Sequence, residues 1–543
     1  MVFARRSTTL LAAIIASCAM VLSLTACTSD NKTVVDGQTT VTSNSAGGVA
    51  VFTPSDGITL NQQTPLNKWA KLVPDLAKAL ADAGFKKGDI DHTTSDSLDK
   101  QSRAIQDFVV DHLSNNTTDD SGIAIAPDNM TLLVAPVVEA DASTRQYGDY
   151  ISQNLSTNDA TDEGATSDGE SSEDDSSKDD SSNTESDSTA SDEQAQAVDR
   201  LVSSLKLAKE SGMHVVLLGN SIEGYKPDAF VKFSDAQTIG KLQAEKMVSK
   251  LKLDKASKDN PKYIEVLLPY TAVDEKGNAN DSTFAQEAFR GIWQVLGSYY
   301  QKGVVESPSG TLDGKSTEND WQAVAYDAAK EGSTAKVLDK RLAKTDGQST
   351  LTRIDGIITM NDYIASEVVK ELDDLGYTGS AADINPQITI SGIVGNITGK
   401  KDLSRDAVPD PIKSPENDNA NDSSSSDDDA DEDTSASDKD RDSQWPLVTG
   451  YGAYVSNIPS IVNGKQWMTG MEDRQTIATD IAQACAKLNK DEALNSMPSI
   501  RNSEVGGVKK IPTISEPLLA VSASNLKSAL IDPGYISLAD AGL

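Results

Sequence analysis

From residue 48 onward the chain alternates short apolar runs with longer stretches of helical spacing. Val49-Ala50-Val51-Phe52 is a short run closed by Thr53-Pro54, the pattern of a buried strand and its exit. Leu66, Trp69, Leu72, Val73, Leu76, Ala79 and Leu80 then recur at three- and four-residue intervals, which predicts a helix over 66–83 with Gly84 at its C-terminal cap. The same reading places helices at 101–113, 194–211, 236–251, 282–300, 363–375 and 475–488. Strands fall at 130–138, 214–218, 263–268, 354–359 and 446–449. Strands and helices in strict alternation predict parallel sheets with helices on both faces, a doubly wound α/β architecture. Ligands on such sheets bind beyond the carboxyl ends of the strands, so the residues just after each strand are the candidates for function.

The first 27 residues have a different pattern. Arg5 and Arg6 precede an apolar run from Leu10 to Leu24, and Leu24-Thr25-Ala26-Cys27 is followed at once by polar Thr28-Ser29-Asp30. That layout predicts a bacterial lipoprotein signal, cleaved before Cys27 with lipid on its thiol. The apolar run is shorter than the ~20 residues a spanning helix needs. Residues 28–47 are then a disordered tether, and the protein is expected on the outer face of the cell membrane, anchored by lipid.

Charge is concentrated rather than spread. The net charge is −34. The segments 156–193 and 416–442, built of Ser, Asp, Glu, Thr and Asn, carry about two-thirds of it. Such tracts bury too little apolar surface to offset the entropy of ordering, which predicts disordered inserts. The Asp427 run lacks the glycine and the terminal glutamate of a calcium loop. An acidic chain is a poor partner for nucleic acid. Past Cys27 only Cys485 carries a thiol, so no intrachain disulfide is expected. His92, His112 and His214 are too scattered for zinc, with His112 read as a helix-surface residue and His214 as a strand-edge residue. Neither a nucleophile–base pair nor a phosphate-cradling glycine loop follows any strand, so no enzyme, metal or cofactor is expected.

Several junctions resemble a known family. Ser460-Ile461-Val462-Asn463-Gly464-Lys465-Gln466-Trp467-Met468-Thr469 resembles the "aGkQtMTV" segment of sugar-binding lipoproteins of ABC importers, especially their xylose and multiple-monosaccharide branch. Ser234-Asp235 with Ile239-Gly240-Lys241-Leu242-Gln243-Ala244 resembles "sfDNekvGelQAk", and Met360-Asn361-Asp362 resembles "sNDg". Ile511-Pro512 through Leu518-Leu519, then Asn525 to Tyr535, resemble the family's closing segment. The likeness spans nearly all of residues 48–543 outside the two tracts.

The resemblance implies a periplasmic-binding-protein type I fold: two α/β lobes joined by three hinge crossovers, closing on a ligand held between them. Carried onto this chain, it puts the N-terminal lobe at 48–232, completed by 472–507. The C-terminal lobe is 233–471, completed by 508–543. The crossovers fall near Val231–Asp235, Thr469–Asp473 and Val508–Ile514. It implies a monomer that takes a small ligand, a carbohydrate, and delivers it to an ABC permease. Trp69, Asn220, Asn280, Trp321, Asn361 and Tyr451 stand where the resemblance puts ligand contacts. Trp69 reads equally as core, and Asn361 equally as a helix cap. Tyr451, between glycines, reads as an exposed loop residue.

The likeness is incomplete in the pocket. Leu218-Gly219-Asn220 stands in place of a Tyr-Asp-Arg, Gly450-Tyr451-Gly452 in place of a Gly-Gln-Asp, and Glu472 in place of a lysine. The strongest hydroxyl-binding groups are therefore gone. Each charge-assisted hydrogen bond is worth about 1.5–3 kcal/mol, so xylose itself is not expected. A sugar-blind surface sensor or interaction protein on the same scaffold is the alternative.

Overall fold

Val49 and Val51 pack on one side of their strand and Ala50 and Phe52 on the other. The same split recurs at Leu133 against Leu132 and Val134, and at Val216 and Leu218 against Val215 and Leu217. This period-two alternation of apolar side chains means both faces of the sheet are buried. In the computed structural model the described residues are 34–35, 38–39, 46–55, 65–115, 125–138, 144–157, 184–273, 280–343, 351–381 and 445–543. The segment read as an export signal, Cys27 and most of both acidic tracts lie outside the described residues. Residues 1–44 and 45–543 form two units. In the first, Val34–Val35 pairs antiparallel with Gln38–Thr39.

In the second unit, β1 (Gly48–Pro54), β2 (Ile90–Ser95), β3 (Met130–Val134), β4 (His214–Leu218) and β5 (Ala229–Lys232) are parallel, in the order β2-β1-β3-β4-β5. Helix α1 (Trp69–Asp82) covers one face, and α2 (Leu98–Asn115) with α3 (Thr184–Glu210) covers the other. Helix α3 begins ten residues earlier than its apolar periodicity predicts, inside the first acidic tract. β2 was missed in the sequence because Asp91-His92-Thr93-Thr94 is an exposed, polar edge strand. His112 is the opposite case. It is only 2% exposed on α2, stacked on Phe108, so its reading as a surface residue is corrected. His214 opens β4, a strand interior to its sheet rather than at its edge.

After β5 the chain leaves this sheet. Helix α4 (Ala236–Leu251) packs on a second core, capped by Asp235, whose carboxylate accepts from the Thr238 amide at 2.7 Å. The second sheet is built of β6 (Lys262–Val266), β7 (Val305–Glu306), β8 (Gly356–Ile358), β9 (Leu447–Tyr451) and β10 (Met468–Met471). They are parallel in the order β7-β6-β8-β9-β10, the same 2-1-3-4-5 arrangement as the first sheet. Helices α5 (Thr283–Gln301), α6 (Ser333–Arg341) and α7 (Asp362–Asp374) belong to this lobe. α4 and α5 cross through glycines. A Cβ at Gly240 would lie 2.2 Å from the Ala288 carbonyl, and one at Gly291 2.0 Å from that of Gln237.

A second crossing follows β10, and α8 (Arg474–Leu488) returns to the first core with β11 (Ile500–Val505) and β12 (Val508–Ser515). β12 pairs in parallel with β5, so residues 508–515 complete the first lobe. The third crossing is therefore at 516–518, after the strand that the sequence reading assigned to it. β13 (Leu519–Ser522) then joins β10 antiparallel in the second sheet. Two doubly wound parallel sheets with three crossings make the architecture that of a type I periplasmic binding protein. No described helix is long and apolar enough to cross a membrane.

Candidate functional site

The residues that follow the strands of one sheet meet those that follow the strands of the other. The Leu66 amide donates to the Gly452 carbonyl at 2.8 Å, which ties the start of α1 to the end of β9. Glu472, just past β10, is buried between two crossings. Its Oε1 accepts from the Ser234 amide at 2.7 Å and from Ser234 Oγ at 2.5 Å. Tyr451 Oη lies 2.6 Å from Ser234 Oγ. Burial pushes the Glu472 carboxyl up to about 7, against the pull of its hydrogen bonds from Ser234 and Tyr451. One buried carboxyl thus joins the first crossing to the second.

The motifs that carry the family resemblance form a buried polar network behind this junction. Asp362, the first residue of α7, accepts from Gln466 Nε2 (2.7 Å), Thr469 Oγ1 (2.9 Å) and the Tyr454 amide (2.9 Å). Burial raises its carboxyl to about 6. Gln243 of α4 donates to the Met360 carbonyl at 2.9 Å and accepts from Thr449 Oγ1 at 2.6 Å. Met360 and Ala453 both hold positive φ, 67° and 50°, without being glycine. Such conformations cost of order 1–3 kcal/mol and persist where surrounding bonds fix them. Here the network fixes the turns that present Asn361 and Tyr454 to Gln146. Within these motifs Gln243, Asp362, Gln466 and Thr469 are spent on holding the architecture.

The six candidate ligand residues separate into two groups. Trp69 is 3% exposed, edge-on to Tyr150 (centroids 5.0 Å apart) and Phe233 (5.7 Å), with its ring beside Gly219. Asn220 accepts from the Gln153 amide at 2.9 Å and donates to the Pro136 carbonyl at 2.9 Å. Asn361 caps α7 through the Ile364 amide at 2.9 Å, and its Nδ2 donates to Gln146 Oε1 at 3.0 Å. Tyr451 is fully buried at the end of β9, so its reading as an exposed loop residue is corrected. Its strand continues through Gly450 into pairing with β10, and this turns the ring inward. Each of these four residues touches the segment 146–153. Asn280 and Trp321 gather about Tyr270 instead. Asn280 Nδ2 donates to the Thr271 carbonyl at 2.9 Å, Tyr270 Oη donates to the Asn280 carbonyl at 3.1 Å, and Trp321 stands edge-on to Tyr270 at 5.1 Å.

The sequence reading missed the segment that joins the first four. Gln146, Tyr147 and Tyr150 lie in a stretch without strand or helix periodicity. The visible signal was two tyrosines three residues apart, just ahead of the acidic tract. Tyr147 packs against Phe284 (4.7 Å) and Tyr451 (6.2 Å) in the second lobe, while Tyr150 stacks on Phe233 (4.7 Å) in the first. Tyr454 Oη donates to the Gln146 carbonyl at 2.6 Å.

Neither a family model nor a curated protein matches the chain. Solved structures do. A β-D-glucose-bound ABC transporter solute-binding protein from Clostridium phytofermentans is 17% identical, with a TM-score of 0.44 over 91% of this chain and 99% of that one. A D-glucose-bound carbohydrate transporter solute-binding protein from Chloroflexus aurantiacus is 18% identical, with a TM-score of 0.41 over 92% and 98%. An arabinose-binding protein from Geobacillus stearothermophilus is 10% identical, with a TM-score of 0.41 over 89% and 99%. The architecture assigned to this chain rests on its own strand order and crossings.

Proposed function

We propose that this chain is a lipid-anchored, extracytoplasmic solute-binding protein that takes a small carbohydrate between its lobes and presents it to an ABC permease by hinge closure. The observation that carries this reading is the meeting of strand carboxyl ends from two 2-1-3-4-5 sheets across three crossings. Two amides (Asn220, Asn361) and two aromatic rings (Trp69, Tyr451) touch the one segment, 146–153, that runs between the lobes, which supports the reading. Amides pair with hydroxyls, and rings cover the apolar faces of a sugar. No chemistry is required: a ligand that binds the closed form better shifts the equilibrium toward it. Lipid on Cys27 and a place on the outer face of the cell membrane come from the sequence, the monomeric state from the resemblance, and all three belong to the proposal.

One observation favours a second reading. Asn220, Asn361 and Tyr451 all spend hydrogen bonds on the protein itself, which suits a sugar-blind surface scaffold. A thermal-shift screen against monosaccharides, oligosaccharides and polyols separates the two. A ligand at a hundredfold its dissociation constant adds about 2.7 kcal/mol, a visible rise in Tm. The carbohydrate reading expects a hit that weakens in Asn361→Ser, which keeps a capping oxygen and loses the amide. A cooperative melt that no sugar moves selects the scaffold.

A further inference from the structure

The segment 144–155 is held from three sides. At its far end the Ser221 amide donates to the Gln153 carbonyl at 2.9 Å, and Asn154–Leu155 pairs in parallel with Ser221–Ile222 beyond β4. In the middle the Asp149 amide donates to the Asn67 carbonyl at 2.8 Å, and its carboxylate takes Lys68 Nζ at 2.7 Å and the Trp69 amide at 3.1 Å. At the near end Gln146 takes Asn361 and Tyr454 of the other lobe. The apolar side chains follow the same division. Tyr147 and Ile151 belong to the second core, Tyr150 to the first.

We propose that residues 144–153 are an intramolecular strap that occupies the ligand cleft and links the two lobes across it, so that a ligand enters by displacing Gln146 and Tyr147. The proposal deepens the solute-binding reading and rests on it for the identity of the competitor. Gln146 offers the second lobe one amide oxygen and one backbone carbonyl, a pair of acceptors that two sugar hydroxyls reproduce. The strap is an imperfect occupant. It leaves Asn67 Nδ2, beside the crossing at Glu472, buried without a hydrogen-bond partner, and a ligand hydroxyl supplies the acceptor it lacks. A site blocked by its own chain binds with an affinity reduced by the fraction of molecules in which it is free. Loosening the strap therefore tightens binding.

Hydrogen–deuterium exchange on the full chain tests this. The amides of 144–155 should exchange as slowly as those of β3 and β8. Exchange at the rate of an unstructured loop overturns the strap. The double variant Gln146→Ala with Tyr454→Phe should speed exchange across 144–155 at least tenfold and leave β3 unchanged. Unchanged strap exchange overturns it, and Gln146→Ala alone serves if the double variant fails to fold. D-glucose is the probe for displacement. Binding seen as a thermal shift should speed strap exchange, and it should be about tenfold tighter in the double variant. Binding that leaves the strap protected overturns displacement. If D-glucose binds neither protein, the carbohydrate reading loses support, and the first two comparisons still decide the strap.

Discussion

Replacing Glu472 by glutamine should flatten the fall of stability with rising pH. Glu472 is 1% exposed, and its carboxyl lies between Ser234 and Tyr451 with Asp235 close by. Its folded pKa is about 7, against an ordinary value of 4.5. The folded state holds the proton more tightly than the unfolded chain does. The stabilisation is therefore complete below about pH 4.5 and is lost as pH rises through about 7. At about 1.4 kcal/mol per unit, the loss attributable to this one group is about 3 kcal/mol. Asp362, raised from 3.8 to about 6, acts in the same direction over a lower window. Urea unfolding followed by circular dichroism at pH 5 and pH 8 reads the difference. The wild type should lose about 2.5 kcal/mol more than Glu472→Gln between these two values, the rest of the loss falling outside this window. Equal losses in the two proteins would refute the placement of a buried, protonatable carboxyl at the hinge.

Other consequences are independent of the hinge. Gly291→Ala drives a methyl into the Gln237 carbonyl where α4 and α5 cross, and chemical denaturation should record a loss of about 1–3 kcal/mol. Arg341→Met leaves Glu265, fully buried, without its cation 3.3 Å away, and the same assay should show a loss of about 3–5 kcal/mol. Burial pushes the Cys485 thiol far above its ordinary range. A thiol reagent should leave Cys485 unmodified in the folded protein and label it promptly in denaturant.

The alternation of β and α was legible because buried parallel strands are nearly continuous apolar runs, as in His214–Leu218. Helix α4 was read to its ends by its apolar spacing, and the structure adds the cap at Asp235. Where local pattern and tertiary role diverge, the reading failed. β2 is polar because it lies at a sheet edge. β12 looks like a hinge segment, yet it pairs with β5 over three residues. Tyr451 sits between glycines, which suggests a loop, while its strand pairing turns it inward. The cleft was half legible. Trp69, Asn220, Asn361 and Tyr451 each touch the strap, but the strap residues they touch carry no periodicity and depend on contacts across the fold. The familiar motifs pointed to the right architecture because Gln243, Asp362, Gln466 and Thr469 hold it together.

The most direct test of the account is a crystal structure grown with a sugar that raises the Tm. A sugar ring lying between Trp69, Asn220, Asn361 and Tyr451, bonded to Asn361 with Gln146 moved aside, is the predicted result. The sugar bound elsewhere, with Gln146 still on Asn361 and Tyr454, would contradict it.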